Sequence, residues 1–171
     1  MNRSLVLALP VLLLTGHATA QPAPSGRDVL IAFKALHSAL DIGVNYDDYS
    51  RRLIDTKIRF DRYYEQKNAT VNDTKTKAAI SAAMNYHRLA QSAWSTKIKT
   101  GEVRLFNFDS HKDDTCRHLK TLMDDITRNY AHVDDRSTMV VDPWNERLIP
   151  ALWSCASDKI TEAEKLLGGA K

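Results

Sequence analysis

The chain has 171 residues, of which 43% are hydrophobic and 26% are charged, and its formal net charge at pH 7 is +3. These values are ordinary for a globular domain and argue against a collagen-like fibre, a disordered tail or a multidomain enzyme. Basic and acidic residues are mixed along the chain, as around Lys112, Asp113 and Asp114. Because a nucleic-acid-binding surface needs a patch of one sign, we expect no nucleic-acid partner.

The N-terminal segment has the layout of a secretory signal peptide. A short positive start and an apolar run over 5–14 precede a small-residue motif at 18–20, the pattern after which signal peptidases cut. The apolar run is too short to span a bilayer, and no cysteine follows it to carry a lipid. We therefore predict a signal peptide over 1–20, a single domain over 21–171, a periplasmic or secreted location and no membrane span.

Glycine and proline are scarce between residues 27 and 167, which favours long helices over a sheet rich in turns. The first helix is predicted to start from Ser25, with Asp28 three residues later as a partial capping box. Apolar residues then recur at helical spacing until Gly43, which is expected to end the helix.

The next two helices are marked by further capping residues. Asn45 or Asp47 can cap a second helix, and Thr70 or Asp73 can cap a third that ends just before Gly101. Small residues dominate the predicted inner stripe of the third helix: Ala79, Ala82, Ala83, Tyr86, Ala90 and Ala93. Such a stripe lets a neighbouring helix approach closely.

The remaining segments complete an all-α prediction. Residues 103–109 alternate in polarity, but a single strand has no partner, so we expect an extended connection there. A fourth helix is predicted over about 110–131, and Asp142-Pro143 signals the start of a fifth. Pro150 then falls inside this helix and predicts a bend. The expected fold is an up-and-down bundle of four to five helices.

Two cysteines in an exported chain are typically paired. If the last two helices form an antiparallel hairpin, Cys116 and Cys155 face each other, since their midpoint falls in the polar turn at 134–137. We therefore predict a structural disulfide that joins the last two helices. The alternative, a reactive thiol or a catalytic pair, lacks a Cys-x-x-Cys spacing.

A second pattern suits a metal ion. On a helix, His111, Asp114 and His118 share one face, and two imidazoles with a carboxylate can bind zinc or copper. Against this, the acidic residue is also explained by its favourable position at a helix start, and no fourth ligand is evident. Solvated surface is therefore the default interpretation of these residues, and we expect no cofactor. Without Cys-x-x-Cys-His, covalent haem is excluded.

Motifs for catalysis are missing from the sequence. There is no Gly-x-Ser-x-Gly, no glycine-rich phosphate loop and no His-Glu-x-x-His. Adjacent acids such as Asp47-Asp48 are explained by helix capping. A carboxylate pair could still assemble from distant positions, but the sequence indicates no enzyme and no catalytic residue.

Aromatic residues provide the remaining functional indication. Tyr46, Tyr49, Tyr86 and Trp94 crowd the second and third helices, and tyrosine suits both wet core edges and contact surfaces. They can be packing residues at the bundle ends or the lining of a groove for a peptide, a glycan or a small ligand.

Three phrases carry a resemblance: Gly43-Val-Asn-Tyr-Asp-Asp-Tyr49, then Tyr86-His87 with Ala90 and Trp94, and then Trp153-Ser-Cys-Ala-Ser157. They resemble a group of small bacterial exported proteins in which a Gly-[Ile/Val]-x-Tyr-x-x-Tyr turn precedes a helix. A Trp-x-x-Ala-Ser phrase lies in the last helix of that group. The resemblance implies an exported helical domain and transfers no catalytic residues, because the group has no established activity.

The combined expectation is a non-enzymatic binding or interaction module of the bacterial envelope. Two alternatives remain open. One is a zinc- or copper-binding helical bundle that uses the histidines named above. The other is a small envelope chaperone, or an inhibitor of another exported protein.

Overall fold

The computed structural model describes residues 24–66, 70–101, 103–105, 116–129, 132–133, 139–141 and 147–168. Within these ranges there are five helices: α1 (Gly26–Asp41), α2 (Tyr46–Tyr64), α3 (Val71–Thr100), α4 (Arg117–Asn129) and α5 (Leu148–Gly168). The predicted all-α class is confirmed, and the predicted signal peptide lies outside the described residues. None of the described helices has the length and apolar character needed to cross a membrane.

Local side chain to backbone bonds set the starts of the first three helices. Ser25 and Asp28 form a reciprocal capping box at α1, and Thr70 and Asp73 form another at α3. The Asn45 side chain accepts a hydrogen bond from a backbone N–H in the first turn of α2, at 2.9 Å. Each bond satisfies an N–H that has no partner inside the helix. The predicted caps at these positions are confirmed.

Three short strands lie in the connections: β1 (Val103–Leu105), β2 (His132–Val133) and β3 (Met139–Val141). They form an antiparallel sheet in the order β1-β3-β2. In register, Val103, Arg104 and Leu105 face Val141, Val140 and Met139. The expectation of an unpaired connection was therefore wrong for 103–105, because β3, from the link between α4 and α5, supplies the partner strand.

The start of α5 also corrects an expectation. The helix begins at Leu148, and the predicted start at Asp142-Pro143 lies outside the described residues. Pro150 is thus the third residue of α5, and the first helical bond runs from the Ala151 N–H to the carbonyl of Arg147. Because first-turn N–H groups have no helical partner, this proline removes no hydrogen bond. The predicted loss of a helical hydrogen bond was wrong, and the bend at Pro150 stays a prediction.

Buried residues form two clusters. The Tyr49 cluster lies between α1, α2, the first half of α3 and the end of α5, with these members: Val29, Leu30, Phe33, Leu36, Tyr49, Leu53, Tyr63, Ala79, Ile80, Ala83, Met84, Ile160 and Ala163. The disulfide cluster lies between α3, α4 and α5, with these members: Tyr86, Ala90, Ala93, Cys116, Leu119, Leu122, Leu148, Ile149, Leu152, Cys155 and Ala156. Trp94 and Trp153 pack against both clusters.

The disulfide between Cys116 and Cys155 is confirmed, with the Cα atoms 5.7 Å apart. Arg147, just before α5, donates to Asp125 near the end of α4, at 2.8 Å. Because residues early in α4 contact later residues of α5 and residues late in α4 contact its start, the two helices are antiparallel, as predicted. The predicted turn at 134–137 lies outside the described residues.

Candidate binding groove on α3

The hydroxyl of Tyr49 is a hydrogen-bonding centre inside the bundle. It lies 3.0 Å from the backbone carbonyl oxygen of His87 and 3.0 Å from Nδ1 of the same residue. The indole N–H of Trp153 also donates to this hydroxyl, at 3.2 Å. One oxygen atom therefore joins α2, α3 and α5. Burial raises the pKa of the Tyr49 hydroxyl well above its usual value, so it stays protonated.

These three contacts fix the proton arrangement. A tyrosine hydroxyl has one proton to donate and can accept two hydrogen bonds. If it donates to the His87 carbonyl, then it accepts from Trp153 and from a protonated Nδ1, and all three contacts are satisfied. If it donated to Nδ1 instead, its oxygen would face the carbonyl oxygen with no proton between them. We therefore assign the Nδ1–H tautomer to His87.

His87 is fully buried and stays neutral. Its ring stacks on Phe33 at 5.5 Å and meets His37 edge-on at 5.0 Å, measured between ring centroids. Burial, with a smaller contribution from His37, lowers the pKa of His87 to about 3. Burial also lowers the pKa of His37. Nε2 of each ring has no hydrogen-bond partner among the described residues. No hydrogen bond at Nε2 therefore stabilises the charged form of either ring.

The sequence interpretation missed His87. The available signal was its position on the stripe formed by Ile80, Ala83 and Ala90, at spacings of three and four residues. A histidine on such a face needs a buried polar partner. That partner, Tyr49, is 38 residues away in sequence.

A chain of aromatic contacts connects this buried centre with the surface. Tyr49 contacts Trp94 at 5.6 Å and Trp153 at 5.7 Å, and the two tryptophans contact each other at 5.7 Å. Tyr46, which is half-buried, meets Trp94 edge-on at 5.7 Å. The ring of Tyr46 therefore packs against Trp94, which in turn packs against Tyr49 and Trp153.

Tyr46 borders a groove of about 780 Å³ along the outer face of α3. Apart from Tyr46, all of its described lining residues belong to α3: Asn85, Arg88, Leu89, Gln91, Ser92, Ser95, Thr96 and Lys99. The described part of this lining contains two cations, Arg88 and Lys99, and no acid. The whole of α3 carries five basic residues and one acidic residue, so a positive helix stands out in a chain whose charges nearly balance.

The structure separates the four predicted binding residues. Tyr46 lines the groove, and Trp94 supports it from behind. Tyr49 is 0% exposed and Tyr86 is 5% exposed, so neither side chain can contact a ligand here. Tyr49 forms the hydrogen-bonding centre and Tyr86 packs in the disulfide cluster, and a binding role for these two stays a prediction.

The predicted metal residues are only partly visible. His118 is exposed, with Nε2 3.6 Å from a carboxylate oxygen of Asp158, whereas His111 and Asp114 lie outside the described residues. Among the described residues, no three histidine, cysteine or acidic side chains come together as a metal site. The metal alternative stays a prediction.

A second pocket, of about 460 Å³, lies between α4 and α5. Its lining includes Arg117, His118 and Arg147, but Arg147 is paired with Asp125 and His118 lies near Asp158. Acidic side chains therefore already offset much of the positive charge here. The groove on α3 differs because Arg88 and Lys99 have no ion-pair or hydrogen-bond partner in the part of the chain that the structure describes.

No protein family, curated protein or solved structure matches this chain. The resemblance to small bacterial exported proteins therefore stays a prediction.

Proposed function

We propose that the protein is an exported, non-enzymatic binding module whose groove on α3 holds a polar, negatively charged ligand. The observation that carries the proposal is the pair of unpartnered cations, Arg88 and Lys99, in a groove with no acidic residue in its described lining. Each cation can form charge-assisted hydrogen bonds to an anionic oxygen, which are among the stronger contacts available to a side chain.

The size and rigidity of the groove support this role. Its volume of about 780 Å³ lies within the range of ordinary ligand sites, roughly 300–1,000 Å³. Its wall is a continuous helix, and Tyr46 is held against Trp94. A site that is already ordered loses little conformational entropy when the ligand binds.

Export is supported by two features. The predicted signal peptide at 1–20 directs the chain out of the cytoplasm, and the disulfide between Cys116 and Cys155 is of the kind that persists in an oxidising compartment. We propose a periplasmic or secreted location on these grounds.

A binding role fits the electrostatics better than a catalytic one. His87 has the most strongly lowered pKa of the described histidines, but it is 0% exposed and enclosed by aromatic rings. Its pKa shift therefore comes from burial in the core and is not tuned toward a reaction at the groove.

The proposal is tested by native mass spectrometry of the processed protein, purified from the compartment in which it is made. We expect an added mass on the wild-type protein that is lost from an Arg88→Ala variant and kept by Arg62→Ala, a matched change of an exposed arginine on α2. An added mass that Arg88→Ala retains, or a wild-type protein that never carries one, would overturn the proposal. An added zinc or copper ion lost on His118→Ala would favour the metal alternative instead.

A further inference from the structure

We infer that the ligand of the α3 groove is a linear acidic glycan, long enough to contact both cations at once; this inference rests on the proposed function. Arg88 and Lys99 are eleven residues apart on one helix, which places them about 16 Å apart along its axis. Eleven residues at 3.6 per turn return to nearly the same side of the helix. The two positive charges therefore mark the two ends of one straight path.

The path between the cations is lined with hydroxyl groups. Ser92 and Ser95 lie four and seven residues after Arg88, and Lys99 lies eleven residues after it. These four side chains therefore form one ridge along α3. Neither serine hydroxyl has a hydrogen-bond partner within the described ranges. Beside them, the Thr96 hydroxyl donates to the Ser92 carbonyl at 3.0 Å. A ligand on this ridge meets hydroxyl donors and acceptors along its middle and a cation at each end.

Tyr46 adds a flat surface to one side of this path. Its ring is half-buried and held by Trp94, so it is fixed without being hidden. The C–H face of a pyranose ring packs well against such a ring, while the sugar hydroxyls bond to neighbouring polar groups. Asn85 and Gln91, also in the lining, supply amides of the kind that bond to sugar hydroxyls.

An acidic peptide fits the same lining less well. About five extended residues would span the distance between the cations. Extended peptides, however, are held by an open strand edge or by apolar side-chain pockets. The described lining is one face of α3 together with Tyr46 of α2, and Leu89 and Tyr46 are its apolar and aromatic members. A chain of hydroxylated rings uses this surface more completely.

The span makes a prediction about chain length. A ligand shorter than the distance between Arg88 and Lys99 can reach only one of them, and it gains one charge-assisted contact instead of two. A longer acidic chain reaches both. Affinity should therefore rise steeply with length until both cations are engaged, and then level off.

The experiment is calorimetric titration of the processed protein with galacturonic acid oligomers of two, four and six units. Neutral glucose oligomers of the same lengths and a glutamic acid hexapeptide serve as comparison ligands. We expect the four-unit acidic oligomer to bind about tenfold more tightly than the two-unit one, and the neutral series to show no measurable binding. Arg88→Ala and Lys99→Ala should each weaken binding of the four-unit oligomer about tenfold, and Arg62→Ala should not.

Three results would contradict the inference. Equal affinity for two and four units, with no effect of Lys99→Ala, would mean that the ligand does not bridge the cations. Equal or tighter binding of the hexapeptide would assign the groove to acidic peptides. No binding of any acidic oligomer, with a native ligand still lost from Arg88→Ala in the mass spectrum, would leave the binding function standing and exclude an acidic glycan. If the mass spectrum also shows no such ligand, the proposed function itself fails.

Discussion

The two core clusters hold their helices in register by different means. In the Tyr49 cluster, the hydroxyl of one tyrosine bonds to groups from α3 and α5 among packed aromatic rings. In the disulfide cluster, the surroundings are largely aliphatic, and a covalent bond joins Cys116 to Cys155. A hydrogen bond specifies position only while all its partners are present and in the right protonation state. A disulfide specifies position irrespective of pH, so the two halves should respond differently to acid and to reductant.

The candidate groove lies where the two clusters meet: the α3 residues behind its wall, including Ala90 and Ala93, belong to the disulfide cluster. Tyr46 rests on Trp94, which contacts Tyr49 and Trp153 directly. The position of Tyr46 at the edge of the groove is therefore coupled to the buried centre. The α4–α5 hairpin packs against the half of α3 that forms the groove wall, and its covalent link adds stability by constraining the unfolded chain.

The largest effect is expected from removing the disulfide. The double change Cys116→Ser and Cys155→Ser removes the disulfide, whose two cysteines are 39 positions apart. Because the unfolded chain then gains loop entropy, we expect a loss of about 4 kcal/mol in the free energy of unfolding. Urea unfolding measures the loss, and hydrogen exchange should show α4 opening first while α1 stays protected. A loss below about 1 kcal/mol, or equal loss of protection in both helices, would contradict the distinction between the clusters.

The next effect concerns Tyr49. The change Tyr49→Phe keeps the ring but removes the hydrogen-bond partner of two groups, the Nδ1–H of His87 and the part-buried indole N–H of Trp153. The His87 carbonyl still has its helical bond within α3. We expect a loss of about 2 kcal/mol in the free energy of unfolding, since each unsatisfied buried group costs roughly 1–3 kcal/mol. Chemical denaturation followed by tryptophan fluorescence measures it. The control Tyr64→Phe, at a side chain that is 53% exposed, should change stability by less than about 0.5 kcal/mol.

Acid should weaken the Tyr49 cluster selectively. The pKa of His87 is about 3 when folded, against 6.5 for an ordinary histidine, so between these values the unfolded chain binds more protons. The contribution is fully present above pH 6.5 and falls by about 1.4 kcal/mol per pH unit below it. His37, whose pKa is lowered by burial despite the nearby Asp41, acts in the same direction. Stability should therefore drop by about 2 kcal/mol between pH 6.5 and pH 5.

A matched variant isolates this contribution. His87→Asn keeps an N–H donor for Tyr49 but cannot titrate, so the slope of stability against pH between 6.5 and 5 should become much shallower. Asp28 and Asp73, whose pKa values are lowered by their capping bonds, act only near and below pH 4. An unchanged slope in the variant would show that His87 is not the group being protonated.

The smallest effect on stability is expected at the groove. Arg88 is exposed and has no partner in the described chain, so Arg88→Ala should alter the free energy of unfolding by less than about 0.5 kcal/mol. Thermal unfolding measures this. A larger loss in the free energy of unfolding would mean that Arg88 stabilises the fold. Weaker ligand binding by the variant could then result from lost stability.

Local signals in the sequence were enough for much of the fold. Ser25 and Thr70 act through residues three positions away, so their capping roles could be predicted. The disulfide followed from the symmetry of a hairpin about its turn. The start of α5 was misplaced because Asp142-Pro143 is a typical helix start in the sequence, whereas the helix begins at Leu148.

The site was harder to predict because it depends on distant contacts. Trp153 and Tyr49 are 104 residues apart, and no spacing rule links them. Arg88, Ser92, Ser95 and Lys99 follow an ordinary helical spacing, which also describes a solvated helix face. Only the fold shows that Tyr46 stands beside them and that acidic side chains are missing from the described lining.

The most direct test of the central claim is an amide NMR map of the ¹⁵N-labelled processed protein during titration with the four-unit galacturonic acid oligomer. We predict shifts at Tyr46 and along residues 88–99, with little change around the α4–α5 pocket at Arg117 and Arg147. Shifts confined to that second pocket, or none on α3, would contradict the assignment of the α3 groove as the binding site.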